Sequence, residues 1–107
     1  MEIARLMADT KCSNVRVLDL RGVSPVCDYF ILGTGTSVRQ MKSVAEEVGE
    51  FAGERGLRSF GKTGTGENWI AIDLIEVVVH IFSIDGRQYY DLDNLFEATD
   101  VPWKRDA

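Results

Sequence analysis

Residues 28–41 read DYFILGTGTSVRQM, and the reading of this stretch decides the fold class. Tyr29 to Leu32 is an apolar run of strand formers, so it reads as a buried strand. The GTGTS segment, residues 33–37, then breaks the run. Ser37 and Gln40 have the spacing of a capping box, which marks a helix start. Met41, Val44, Ala45, Val48 and Ala52 recur at the helical period and predict a helix over about 38–54. Its outer face would carry Arg39, Lys42, Glu46, Glu47, Glu50 and Glu54 into solvent. Gly56 is placed to close the helix from a left-handed conformation. Gly49 and Gly53 each lower helix propensity by about 1 kcal/mol relative to Ala, and close packing on a sheet would be their use. A strand feeding a sheet-packed helix is the unit of an α/β domain.

Working outward, Ile3, Leu6 and Met7 share one face and predict a helix over 2–9. VRVLDL (15–20) reads as a strand, and Arg21 to Pro25 as a loop. Downstream, LRSF (57–60) reads as a short edge strand and GKTGTGEN (61–68) as a glycine-rich loop. WIAID (69–73) and VVVHIF (77–82) are strands. The short Leu74-Ile75-Glu76 link favours an antiparallel hairpin between them. Asp85-Gly86 reads as a turn, and Leu92, Leu95 and Phe96 suggest a final short helix. The expected order is α-β-β-α-β-β-β-α: one α/β domain over residues 1–98, a mixed sheet of about five strands with packed helices, then an irregular tail over 99–107.

Composition narrows the function classes. A chain of 107 residues sets a prior of one domain. No stretch reaches the roughly 18 apolar residues of a spanning helix, so no membrane is expected. MEIARLMADT lacks the basic-then-apolar form of a secretory signal, so a cytoplasmic location is expected. The net charge of −5 and the lack of an Arg/Lys stripe argue against much direct nucleic-acid contact, which draws its affinity from cations on phosphates. A basic protein is the better-matched partner. Cys12 and Cys27 lack metal or redox spacing and read as two reduced thiols.

Several motifs invite catalytic readings. Residues 56–63, GLRSFGKT, satisfy the phosphate-loop pattern GxxxxGK[ST]. That loop needs a strand before its first glycine and a helix after the Lys-Thr pair. Here Gly56 ends a helix, and another glycine loop follows Thr63, so Lys62 reads as a loop cation. GTGTS precedes a helix N-terminus, a natural anion site, but capping and a tight turn explain it as well. His80 is the only histidine, and one histidine with scattered carboxylates is too little for a metal site. Asp73 could approach it across the hairpin, with no nucleophile placed beside the pair. His80 reads either as a hydrogen-bonded structural residue or as a contact residue. Asp73, Glu76, Asp91 and Asp93 invite a two-metal reading, but Asp91 and Asp93 suit helix capping better. No catalytic residue, cofactor or metal is therefore expected. What remains is a concentration of Trp69, Phe82, Arg87, Tyr89, Tyr90, Phe96 and Trp103, residue types that dominate protein–protein contacts. If Tyr89 and Tyr90 are extended they face opposite ways, leaving one for a partner.

Three ordered blocks carry a family resemblance: DYFILGTGTSVRQM (28–41), WIAIDLIEVVVHIF (69–82) and RQYYDLDNLF (87–96). With looser agreement over 15–28, the chain resembles the ribosomal silencing factor family, also called Iojap or RsfS, across about residues 2–98. The family pattern falls on Asp28, Tyr29, Phe30, Gly35, Ser37 and Gln40, then on Trp69, Asp73, His80, Arg87, Tyr90, Asp91, Leu92 and Leu95. The resemblance implies a nucleotidyltransferase-like fold without catalytic residues. It implies binding to the large ribosomal subunit through its protein fourteen, which blocks joining of the small subunit and represses translation. Some members of the family form homodimers. The expected partner-binding side chains are Trp69, Asp73, His80, Arg87, Tyr90 and Asp91. Three positions depart from the pattern: Thr63-Gly64 where an acid precedes glycine, Ile75-Glu76 in place of Gly-Asp, and Phe96 in place of a tryptophan. The competing expectations are a nucleotide-binding or nucleotidyl-transferring enzyme and a dimeric adaptor with no ribosomal role.

Overall fold

A computed structural model describes residues 2–25, 27–57, 62–63, 68–94 and 99–101. Helix α1 (Glu2–Asp9) leads into strands β1 (Ser13–Asp19) and β2 (Tyr29–Thr34), then helix α2 (Val38–Glu54). Next come β3 (Lys62–Thr63), β4 (Trp69–Asp73), β5 (Val77–Phe82), helix α3 (Ile84–Tyr90), a 3₁₀ turn over Leu92–Asn94, and β6 (Thr99–Asp100). The strands form one sheet in the order β3-β4-β5-β2-β1-β6. β2 and β5 run parallel, and the remaining neighbours are antiparallel, so the sheet is mixed as expected.

The body of that sheet is four long strands, not about five; β3 and β6 add only two residues at either edge. Of the strand expected at 57–60, residues 58–60 lie outside those described, and Leu57 falls in no strand. Lys62 and Thr63 pair with Ile72 and Ala71, so a strand rather than a helix holds the Lys-Thr of the phosphate-loop pattern. Residue 98, the expected domain boundary, is followed directly by β6, which pairs with Leu18 and Asp19 of β1.

The helix over 38–54 forms as the periodicity requires. Ser37 caps it: its Oγ accepts from the Gln40 amide at 3.1 Å. The Gln40 carbonyl reaches back to the Thr36 N–H, one residue before the capping-box position. Gly56 closes the end at φ +70°. Gly49 and Gly53 correct the packing expectation, since a Cβ at either would meet open space.

Alternation along the strands sorts the sheet into two faces. On one, Val17, Ile31, Ile70, Ile72, Val79 and Ile81 pack under Ile3, Ala4 and Met7 of α1 and Met41, Val44, Ala45 and Val48 of α2. On the other, Leu18, Leu32 and Phe82 pack with Leu92, flanked by Phe30, Trp69 and Tyr90. Two helices cover the first face, whereas among the described residues the second has only α3 and the 3₁₀ turn.

The chain after β5 departs from the sequence reading. Asp85-Gly86 is not a turn but the first turn of α3. Ser83 caps that helix, its Oγ accepting from Gly86 N–H at 2.9 Å. The Ser83 N–H donates to the Asn68 carbonyl at 3.0 Å, tying the helix start to the entry of β4. This approach is so close that a Cβ on Gly86 would lie 2.2 Å from the Asn68 carbonyl oxygen. Asp91, expected to open a final helix, instead ends α3 at φ +50°. The helix expected around Leu92, Leu95 and Phe96 is a 3₁₀ turn over Leu92–Asn94, and residues 95–98 lie outside those described.

Candidate interaction surface

The less covered sheet face is built by register. Antiparallel pairing sets Trp69 opposite Phe82, Ala71 opposite His80 and Asp73 opposite Val78. Parallel pairing sets Phe30 beside Val78 and Leu32 beside His80. The alternation of WIAID and VVVHIF thus places Trp69, His80 and Phe82 on one side, with Phe30 added from β2.

These side chains form a continuous aromatic wall. The Trp69 and Tyr90 ring centroids lie 4.7 Å apart, and Trp69 stacks on Phe82 at 5.7 Å. Phe30 meets the His80 ring edge-on at 4.5 Å. Tyr89 meets Tyr90 at 5.1 Å with perpendicular rings. Tyr89 is 82% exposed while Tyr90 is half-buried. One tyrosine is therefore free for a partner, but because successive helical residues diverge, not because the pair is extended.

His80 is 5% exposed, which resolves its two readings in favour of the interior. Its Nδ1 accepts the Trp69 indole N–H at 2.9 Å, so the neutral ring carries its proton on Nε2. The Nε2 group is buried without a hydrogen-bond partner among the described residues. Burial pulls the imidazole pKa from 6.5 down to about 4. Asp73 does not pair with it; the Asp73 carboxylate accepts the Ile75 N–H at 2.8 Å and shapes the β4–β5 turn.

Arg87 is likewise committed inside the domain. Its Nε and Nη2 donate to Asp93 at 2.6 and 2.9 Å, and its Nη1 donates to the Thr34 hydroxyl at 3.0 Å. Asp93 also accepts from Arg16 Nη1 at 2.6 Å, and Arg16 in turn binds Asp100 through two nitrogens. The Arg87 and Arg16 guanidiniums hold the Asp93 carboxyl below its ordinary range. The network fastens α3, the 3₁₀ turn and β6 to β1.

Of the six residues expected to bind a partner, the fold gathers Trp69, His80 and Tyr90 into one ring cluster. Asp73 shares that face at the far end of β4, while exposed Asp91 terminates α3. His80 is buried, and Arg87 is bonded internally to Asp93 and Thr34, so the structure places both mainly inside the domain. Asn68 and Asp85, absent from the expected set, line a cavity of about 250 Å³ with Gly86, Tyr89 and Tyr90. No local pattern reveals it, because its walls come from residues far apart in sequence, Asn68 before β4 and the residues of α3.

Elsewhere, Cys12 and Cys27 are buried and unbridged, and burial raises the Cys12 thiol to about 11. Among the described residues no cluster of His, Cys, Asp or Glu could hold a metal ion, and no helix is long and apolar enough to cross a membrane.

The class defined is a small α/β domain with one sheet face sealed by helices and the other lined with aromatic side chains. The family model described as "Ribosomal silencing factor during starvation" matches residues 1–106. The ribosomal silencing factor RsfS of Bacillus subtilis is 37% identical over 89 residues, covering 82% of this chain and 75% of that protein. That of Haemophilus influenzae is 34% identical over 87 residues, covering 80% and 85%. A crystal structure of a Bacillus halodurans protein superposes with a TM-score of 0.78 at 32% identity, over 94% of this chain and 95% of that one. One from Chromobacterium violaceum gives 0.84 at 28%, over 95% and 87%. The chain belongs to the ribosomal silencing factor family.

Proposed function

We propose that this protein is a non-enzymatic translational repressor that binds the large ribosomal subunit through its protein fourteen and thereby blocks joining of the small subunit. Family membership across residues 1–106 carries the reading. The aromatic face supports it: large, half-exposed rings braced from behind are the side chains that anchor protein–protein contacts. Trp69, Tyr90, Asp73 and Asp91 would meet the partner, with His80 and Arg87 holding Trp69 and α3 in place. A nucleotidyltransferase-like fold without catalytic residues, the cytoplasmic location and a homodimeric state belong to the same proposal.

The test is cosedimentation of the protein with isolated large subunits, followed by a subunit-joining assay. Binding at micromolar concentration together with reduced joining is expected. Absence of binding there would sink the proposal. Trp69→Ala should weaken binding at least tenfold, about the effect of one anchor residue. Circular dichroism must show the variant folded; an unfolded variant would assign Trp69 to the core instead.

A further inference from the structure

We infer that the cavity between Asn68 and α3 is a receptor for a single arginine side chain of a protein partner. The inference rests on the proposed ribosomal role only for the partner's identity; the cavity's chemistry stands apart from it. The lining is Asn68, Asp85, Gly86, Tyr89 and Tyr90. At about 250 Å³ it lies below the usual range for small-molecule sites, about 300–1,000 Å³, and fits one long side chain better than a nucleotide.

The walls select a planar cation. Tyr89 and Tyr90 present perpendicular rings 5.1 Å apart, and Tyr89 is almost fully exposed. A guanidinium can lie over one ring face while its edge N–H groups point to a carboxylate. Asp85 is exposed and makes no ion pair among the described residues. The competing charge is the positive end of α3. That end is worth about half an elementary charge at most, and its Gly86 and Arg87 amides are already bonded to Ser83. The full charge of Asp85 outweighs it. The helix's one arginine, Arg87, is drawn away to Asp93 and Thr34, so no cation of α3 occupies the cavity. Gly86 lets α3 seat against Asn68 at the floor, since a side chain there would collide with the Asn68 carbonyl. An acidic, tyrosine-walled recess repels phosphate, so the occupant belongs to a basic protein and not to RNA.

Two measurements on the full chain test this. The first titrates acetyl-Gly-Arg-Gly-amide and its citrulline twin, which keeps the shape but lacks the charge, against isotope-labelled protein. Saturable NMR shifts at Asn68, Gly86 and Tyr89 with the arginine peptide alone, abolished in Asp85→Asn, are expected. Equal shifts from the citrulline peptide, or none from the arginine peptide, would overturn the assignment. The second measures large-subunit binding. Asp85→Asn should weaken it about tenfold, while Glu47→Gln, an equal charge change on the exposed face of α2, should leave it within twofold. If the wild type binds and Asp85→Asn binds equally well, the arginine receptor is refuted while the repressor reading survives. If the wild type does not bind, the repressor reading fails and the peptide titration still decides the cavity.

Discussion

His80 accepts a hydrogen bond from Trp69 and leaves its own N–H buried without an acceptor among the described residues. The ring must stay neutral to accept, and burial enforces that by lowering its pKa from 6.5 to about 4. Between these values the unfolded chain binds a proton that the folded one refuses. The His80 contribution to stability is therefore whole above pH 6.5, falls as pH drops towards 4, and levels off below. The loss is on the order of 3 kcal/mol. In His80→Leu, denaturant titrations from pH 7 to pH 4 should show most of that slope gone; an unchanged slope would mean that His80 is not its source. Gly86 is constrained differently, by lack of room. Gly86→Ala should destabilise by about 2 kcal/mol, because the Asn68 carbonyl that blocks the new methyl is backbone and cannot rotate aside. A melting temperature equal to the wild type's would show that the first turn of α3 can back away.

At the scale of elements, the β4–β5 turn carries a departure from the family pattern whose effect can be read. Ile75 stands where the resemblance expects glycine, and its φ is +75°. A β-branched residue is strained there. Ile75→Gly should stabilise the chain by about 1 kcal/mol, seen as a rise in melting temperature; a fall would mean that the half-exposed Ile75 side chain contributes more than its backbone loses. How legible each element is follows from where its determinants lie. The bounds of α2 are visible in the sequence because its cap, period and terminal glycine are all local. The same holds for β4 and β5, whose alternation survives into the structure unshifted. Helix α3 is not legible, since Asp85-Gly86 has the form of a turn. What makes it helical is the Ser83 cap and the seat against Asn68, fifteen residues away along the chain. The inward aim of Arg87 is equally hidden, because its partners are Thr34 and Asp93. The aromatic composition raises the expectation of a contact surface, but only the parallel β2–β5 pairing brings Phe30 beside the Trp69–His80 cluster.

The molecule as a whole is unequal on its two sides. Two helices press on one sheet face, and a seven-residue helix with a 3₁₀ turn guards the other. A chain of charges also holds the guard: Arg87, Asp93, Arg16 and Asp100 link α3 and the 3₁₀ turn to β1 and β6. Removing Asp93 leaves Arg87, 12% exposed, without its countercharge. Asp93→Ala should lower stability by about 3 kcal/mol, and partner binding should fall with it as α3 loosens. Chemical denaturation with the binding assay would check both, and a variant as stable as the wild type would show the network to be dispensable.

That same network sets an order in time. Arg16 emerges early in synthesis, yet its acceptors lie 77 and 84 residues further along. Strand β1 likewise waits for β6 to take its outer edge. A nascent chain can assemble α1, α2 and the central strands first, but its edge stays unpaired and an arginine unanswered until almost the whole domain has left the ribosome. Closure is then a late event governed by distant contacts, the kind that slows folding. Until it happens, the aromatic face has no fixed α3 beside it, so that face is completed only after Asp100 is free to meet Arg16.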